Sequence, residues 1–333
     1  MKTLKIDIQE NNVENPKVSV IIPCYNAGGL ISYALDSLVS QSFKDFEVVI
    51  VNDGSKDNSV EVINRYKGVL DIKLISQENE GVSTARNVAM EHCRGKYIVF
   101  LDSDDQYHTE CIAFLVSEIE EKNVDIVTSR YRFSKDYTEE FETINCTKKI
   151  ISKAELYQIY NYKRIQKVNF VNCIFVNRII QENKILFSKD LKYGEDSLFL
   201  LEYLFHCNRG AEVTDAVLYK YMVSEESASK ARNFDRTQII EAFKRAKNIW
   251  DAEEMFDKSI SQYGIDRAIW AQAKDFAIAD KKLLKCLQNK YDVSKAMKNL
   301  FFNSKEKMVK ISAGIYCISP RLFIVLIYLF SLL

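Results

Sequence analysis

Histidine is scarce in this 333-residue chain, with three copies, and its eight cysteines (Cys24, Cys93, Cys111, Cys146, Cys173, Cys207, Cys286, Cys317) include no CxxC pair. These absences exclude the common zinc sites and a disulfide framework, and they fit free thiols in a reducing compartment. Net charge is missing as well, since 46 Lys and Arg residues balance 46 Asp and Glu. No overall field draws the chain to nucleic acid, so any electrostatic recognition has to be local. The opening stretch MKTLKIDIQENNVENPK lacks the apolar h-region of a signal peptide, which gives the expectation of a cytoplasmic protein. Repeats and low-complexity tracts are absent, and so are a GxxxxGK[ST] loop and a GxGxxG run. Phosphate would therefore be handled by metal, arginine and backbone N–H groups.

What the chain does have is alternation. VSVII, FEVVIV, IKLIS, YIVFL and DIVTSRYRF read as strands, and LISYALDSLVSQ, DNSVEVINRYK, GVSTARNVAMEHC and ECIAFLVSEIEEKN between them read as helices. Such alternation implies βαβ units and a mostly parallel sheet. After about Phe133 it fades into a helix (SKAELYQIYNY), a strand-like segment, a loop and a second helix, and AEVTDAVLYKYMVS reads as two short strands. Beyond about Asn233 helical periods dominate, clearest in IIEAFKRAKNIWDAEEMF. The expected organisation is a tail over 1–16, an α/β region over 17–232 and a helical region over 233–333. The final apolar stretch, 311–333, carries one charge, Arg321, and too few residues follow it to cross a bilayer. Peripheral membrane contact and packing of an apolar helix on protein both remain open for it.

In sheets of this kind ligands bind at the carboxyl ends of the strands. The residues there are PCYN, NDGS, QENEG and DSDD, all polar and turn-rich. Asp102 and Asp104, one residue apart, can converge on a divalent cation whose shell is completed by water and nucleotide phosphates. Asp105 suits a cap on the next helix. Asp53 can accept the ring N–H of a pyrimidine while Gly54 lets the backbone turn close to a flat ligand, although Asn-Asp-Gly also makes an ordinary turn. Gly81 and Ser83 at a helix start, with Arg86 one turn in, form either an anion site or a capped helix with a surface arginine. Glu195 and Asp196 begin a helix, where the macrodipole alone favours them and where one carboxylate can act as general base toward a hydroxyl. His92, His108, His206, Trp250 and Trp270 read as structural or solvated. The small, polar loop SEESASK, Ser224 to Lys230, reads as a cover that closes over a ligand.

Together VSVIIPCYN, FEVVIVNDGS, QENEGVSTARN, GKYIVFLDSDD and GEDSLF, in this order between Val18 and Phe199, resemble the family 2 glycosyltransferases. The resemblance implies the GT-A fold, a Rossmann-like, mostly parallel mixed α/β sheet flanked by helices, with a nucleotide-sugar half over about 17–110 and an acceptor half over about 111–232. It implies inverting transfer of a sugar from a nucleotide-sugar donor, most often a UDP-sugar, to a hydroxyl of a glycan or lipid-linked glycan, with Mn2+ or Mg2+ as cofactor. By matching position, Pro23 and Tyr25 would line the nucleotide pocket, Asp53 would meet the base, Arg86 the nucleotide, and Asp102 and Ser103 the ribose and sugar. Asp104 would hold the metal on the diphosphate, and Asp196 would be the base with Glu195 beside it. Asn52 stands where many members carry a second Asp, and Glu80 where Gly is frequent. A receiver domain would need its acidic pair after the first strand, where PCYN stands, and a nucleotidyltransferase would need a cationic loop that PCYNAGG does not supply. A catalytically silent nucleotide-sugar binder would have no need of both DSDD and GED.

Overall fold

The computed structural model describes residues 5–8, 15–162, 169–223, 236–253 and 257–330. The chain begins β1 (Lys5–Ile8), β2 (Val18–Cys24), α1 (Ile31–Val39), β3 (Phe46–Asp53), α2 (Ser59–Asn64), β4 (Ile72–Gln77), α3 (Val82–Glu91), β5 (Tyr97–Phe100), β6 (Gln106–Tyr107) and α4 (Cys111–Glu121). It continues with β7 (Ile126–Ser134), β8 (Lys148–Ile151), α5 (Lys153–Tyr162), β9 (Cys173–Val176), α6 (Asn177–Asn183), α7 (Glu195–His206) and β10 (Ala211–Met222). Six helices follow: α8 (Gln238–Trp250), α9 (Lys258–Ala279), α10 (Lys281–Lys290), α11 (Val293–Asn303), α12 (Lys307–Ile318) and α13 (Pro320–Phe330). Contacts divide the chain into two compact units, one of 1–156, 166–189 and 206–225, the other of 157–165, 190–205 and 226–333.

The first unit is built on a single mixed sheet with the order β1-β4-β3-β2-β5-β9-β7-β10-β6, to which β8 adds on β10. β2 and β3 are buried along their whole length, as β-branched runs are when helices cover both faces of a parallel sheet. Pairing of β2 with β3, of β3 with β4 and of β2 with β5 is parallel. The chain winds outward from β2 through β3 to β4, then returns to place β5 on the other side of β2. Between β2 and β5 the winding direction therefore reverses, and the crevice beyond their carboxyl ends is the expected ligand position.

Several elements differ from the sequence reading, among them the short strands β6 and β8, which it did not expect. Residues 5–8 inside the N-terminal tail form an edge strand, with Lys5 opposite Ser76 and Ile8 opposite Lys73 on β4. AEVTDAVLYKYM is one strand of 12 residues, not two, because register shifts on β7 between Val213 and Tyr219 absorb the apparent break at Thr214-Asp215. The run NRIIQEN is a helix, entered straight from β9 and closed by Lys184 in the left-handed region at φ 53°.

In the second unit, aspartates start three successive helices. Asp257 accepts the N–H of Ser259, Asp280 that of Lys282 and Asp292 that of Lys295, each meeting one of the donors a helix start leaves unpaired. Trp250 is fully buried, donates its indole N–H to the Leu201 carbonyl at 2.9 Å and packs its ring 4.0 Å from that of Tyr157. Trp270 donates to Ser312 Oγ at 2.9 Å, and Arg267 grips Glu306 through two bonds of 2.7 and 2.9 Å. Both tryptophans are packing residues. All eight cysteines are free thiols, and Cys286 and Cys317 are exposed.

Candidate active site

The turns that leave β2, β3 and β4 are tied to each other by short bonds. Asn26, itself at φ 49°, accepts the Lys56 N–H through Oδ1, and its own N–H donates to Ser55 Oγ at 2.9 Å. Ala27 and Gly28 donate to Ser59 Oγ and Asp57 Oδ2. Asp53 is buried at the end of β3, where Oδ1 accepts from Gln77 Nε2 at 2.7 Å and Glu80 N at 2.9 Å, and Oδ2 from Gly81 N at 2.8 Å. It therefore shapes the QENEG loop from beneath. Gly54 follows at φ 76°, and a Cβ there would stand 2.8 Å from the Asn79 nitrogen, so only glycine permits this approach. Pro23 is buried within β2, and Tyr25 projects just past it with half its surface open.

Arg86 does not lie on the surface. It is 5% exposed, with Nη2 2.7 Å from Asp102 Oδ1 and its guanidinium over the rings of Phe170 and Phe187, at 4.6 and 5.2 Å from their centroids. The two rings, which the sequence reading missed, wall the arginine in and strengthen its attraction to Asp102 by excluding water.

The three carboxylates of DSDD have three different surroundings. Asp102 is the ion-pair partner of Arg86. Asp105 is buried and accepts the Tyr219 O–H at 2.6 Å and the Met222 N–H at 2.7 Å, which clamps the turn to the end of β10. It is not a helix cap: α4 begins six residues later behind Glu110. Burial first, then the charges of Asp102 and Asp104, raise its carboxyl well above the ordinary range. The Asp104 carboxylate has no hydrogen-bond partner among the described residues except its own backbone N–H. Burial, then repulsion from Asp102, push its carboxyl up to about 6. Its backbone oxygen accepts from Tyr137, whose ring stacks on Tyr33 with centroids 4.0 Å apart. Ser103 lies half-buried between the two outer carboxylates. The residue types around this turn, Tyr33, Tyr137 and Tyr219, were recognisable as aromatics in the sequence, but only the fold brings them here.

A carboxylate without a donor, next to a second negative charge, fits a hard divalent cation that brings further oxygen ligands with it. No group of three or more acidic, His or Cys side chains able to hold a metal occurs among the described residues. Any cation would draw the rest of its shell from substrate and water.

Asp196 belongs to the second unit. Gly194, at φ 87°, precedes α7, and a Cβ on it would stand 3.0 Å from both Ile239 Cα and Ala242 Cβ. The helix starts against α8 for that reason. Asp196 Oδ1 accepts the Ser197 N–H at 2.6 Å, and Ser197 Oγ accepts the Tyr160 O–H at 2.8 Å. Glu195 is half-buried beside it. Tyr160 also lines a small cleft together with Asn161, Arg236, Phe243, Gly264 and Gln272. Asn161 Oδ1 and Gln272 Nε2 are buried there without a hydrogen-bond partner among the described residues. The loop SEESASK lies outside the described residues.

The crevice at the reversal point carries the loop held by Asp53, the Arg86–Asp102 pair and the Asp104 carboxylate, on a mixed sheet of the GT-A type. Residues 19–183 match the description "Glycosyl transferase family 2", and this region of the chain belongs to that family. It is 30% identical over 221 residues to the uncharacterized glycosyltransferase EpsJ of Bacillus subtilis, covering 65% of this chain and 63% of EpsJ. It is equally identical over 222 residues to the poly(ribitol-phosphate) beta-N-acetylglucosaminyltransferase TarP of Staphylococcus aureus, covering 64% of this chain and 65% of TarP. The chain thus spans under two thirds of the length of these curated relatives. S. aureus TarS 1–349 in complex with UDP superposes with a TM-score of 0.64 at 21% identity, covering 94% of this chain and 89% of that one. The mannosyltransferase PcManGT of Pyrobaculum calidifontis, in complex with GDP-Man and Mn2+, gives 0.58 at 17% identity, covering 95% and 91%. Both likenesses show a shared fold.

Proposed function

We propose that this chain transfers a sugar from a nucleotide-sugar donor, a UDP-sugar, to an acceptor hydroxyl with inversion, in the synthesis of a surface polysaccharide or other glycan. The observation that carries the reading is the open Asp104 carboxylate beside the Arg86–Asp102 pair at the reversal point of the sheet. TarS, a fold neighbour, has been seen with UDP-GlcNAc, which supports a uridine donor. Pro23, Tyr25 and the loop held by Asp53 would receive the nucleotide, and Arg86 would keep Asp102 and Ser103 turned toward the ribose and sugar. Asp104 would hold Mn2+ or Mg2+ on the diphosphate, and the cation would supply Lewis-acid stabilisation of the leaving charge.

Asp196 is the base in this reading. One of its oxygens is fixed by the Ser197 N–H, and the other is left to take the acceptor proton as the hydroxyl attacks the anomeric carbon. A single displacement from the face opposite the diphosphate inverts that centre. The buried amides of Asn161 and Gln272 offer an acceptor and a donor to further hydroxyls of a glycan. In this reading the reaction runs on the cytoplasmic side, where free thiols such as these would stay reduced.

Asp196→Asn tests the base: calorimetry should give unchanged affinity for the UDP-sugar, while transfer falls by about 10²–10⁴-fold. Normal turnover would remove Asp196 from that role. Asp104→Ala should abolish metal-dependent binding of UDP, and unchanged affinity in manganese would end the metal assignment. Release of sugar from any nucleotide donor by the unaltered chain separates the enzyme from a silent binder.

A further inference from the structure

We propose that the outward side of α11, α12 and α13 docks in the plane of an anionic lipid surface. The apolar half of the argument is a pair of helix faces. Ile311, Ile315 and Ile318 on α12, and Leu322, Val325 and Leu329 on α13, recur at steps of three and four, the spacing that keeps each set on one face of its own helix, with the extended Ser319 between the two helices. Five of the six are exposed, with Ile318 at 83%, Ile311 at 56% and Val325 at 53%. The opposite side is the packed one. Tyr316 and Phe323 are buried and meet edge to face at 5.3 Å, and Gly314 lets the Phe301 ring of α11 come within 2.7 Å of where a Cβ would stand. Soluble chains rarely leave a contiguous apolar surface of this kind open unless something covers it.

The charge half decides what covers it. Between Val293 and Phe330 the chain carries Lys295, Lys298, Lys305, Lys307, Lys310 and Arg321, all exposed, against one carboxylate. That carboxylate, Glu306, is already gripped through both oxygens by Arg267. A chain with zero net charge thus concentrates positive charge beside these apolar faces, Lys307 standing one turn before Ile311 and Arg321 one turn before Val325. A second copy of the chain would bring the same sign of charge and be repelled. A bilayer with anionic headgroups matches both halves, attracting the cations and taking up the apolar side chains. The contact is in-plane and not spanning. No helix among the described residues is long and apolar enough to cross a membrane, and the 11 residues of α13 rise only about 16 Å.

Vesicle flotation of the purified full chain tests this without donor or acceptor, so it stands or falls apart from the transfer reading. The chain should float with phosphatidylcholine vesicles that contain phosphatidylglycerol at least about tenfold more than with phosphatidylcholine alone, and raised salt should release it. Ile318→Asp combined with Val325→Asp should abolish flotation. Because both positions are exposed, the circular dichroism spectrum and the release of sugar from donor should not change. Lys307→Gln with Lys310→Gln and Arg321→Gln should remove the preference for the anionic vesicles. Equal binding to both vesicles, binding to neither, or flotation that survives the aspartates overturns the proposal. So does a dimer in solution that the aspartates dissociate while no vesicle binds, since a second copy would then be the cover.

Discussion

Gly54 sets how closely the backbone after β3 approaches the loop after β4. Its left-handed φ and the 2.8 Å separation from a backbone nitrogen both penalise any side chain, and Asp53 beside it holds that same loop through Glu80 and Gly81. Gly54→Ala should therefore destabilise the fold by about 1–3 kcal/mol and weaken donor affinity, read by thermal unfolding and by titration with UDP. Glycine at this position was legible from NDGS, since the turn chemistry is local. Asp105 was not legible. Its partners, Tyr219 and Met222, lie more than a hundred residues away in sequence, and nothing in the run DSDD distinguishes a clamp from a ligand. Arg86 is similar: the helix position announced an anion partner, but its burial under Phe170 and Phe187 depends on residues 84 and 101 positions later in the chain.

β10 is the element on which the outer half of the sheet turns. It pairs in parallel with β7 on one side and carries both β8 and β6 on the other. Near its start the fully buried Glu212 faces Glu118 of α4, whose carboxylate is paired with Lys148. Burial, then the neighbouring Glu118, raise the Glu212 carboxyl from 4.5 to about 7. Between those values the folded chain holds a proton that the unfolded chain has released, so stability is greatest at the acid end of this window and falls as pH rises through it. Glu212→Gln should flatten that slope in thermal midpoints measured from pH 4.5 to 7, and an unchanged slope would assign it to another group. Strands β2 and β3 and helices α1, α3 and α4 were readable because each is a continuous apolar or periodic run. β10 and α6 were not: a bulge breaks the period of one, and α6 has seven residues with Ile179 and Ile180 its only buried side chains.

At the scale of the molecule, the alternating N-terminal pattern announced the sheet and the four strand ends announced the crevice, because each βα connection is local and short. The partition into two units was less visible, since residues 157–165 and 190–205 belong with the C-terminal helices although they lie between segments of the sheet unit. Chain order does not follow spatial order there, and local periodicity carries no information about which helix a buried face will meet. The packing that assembles the second unit places both tryptophans of the chain, Trp250 and Trp270, within it. Optically the two units are therefore distinct: light absorbed by indole reports on the helical unit, while the sheet unit with its strand-end crevice contributes tyrosine alone. Unfolding followed by tryptophan emission and by far-ultraviolet dichroism consequently measures, in one titration, whether the two halves come apart together or in turn.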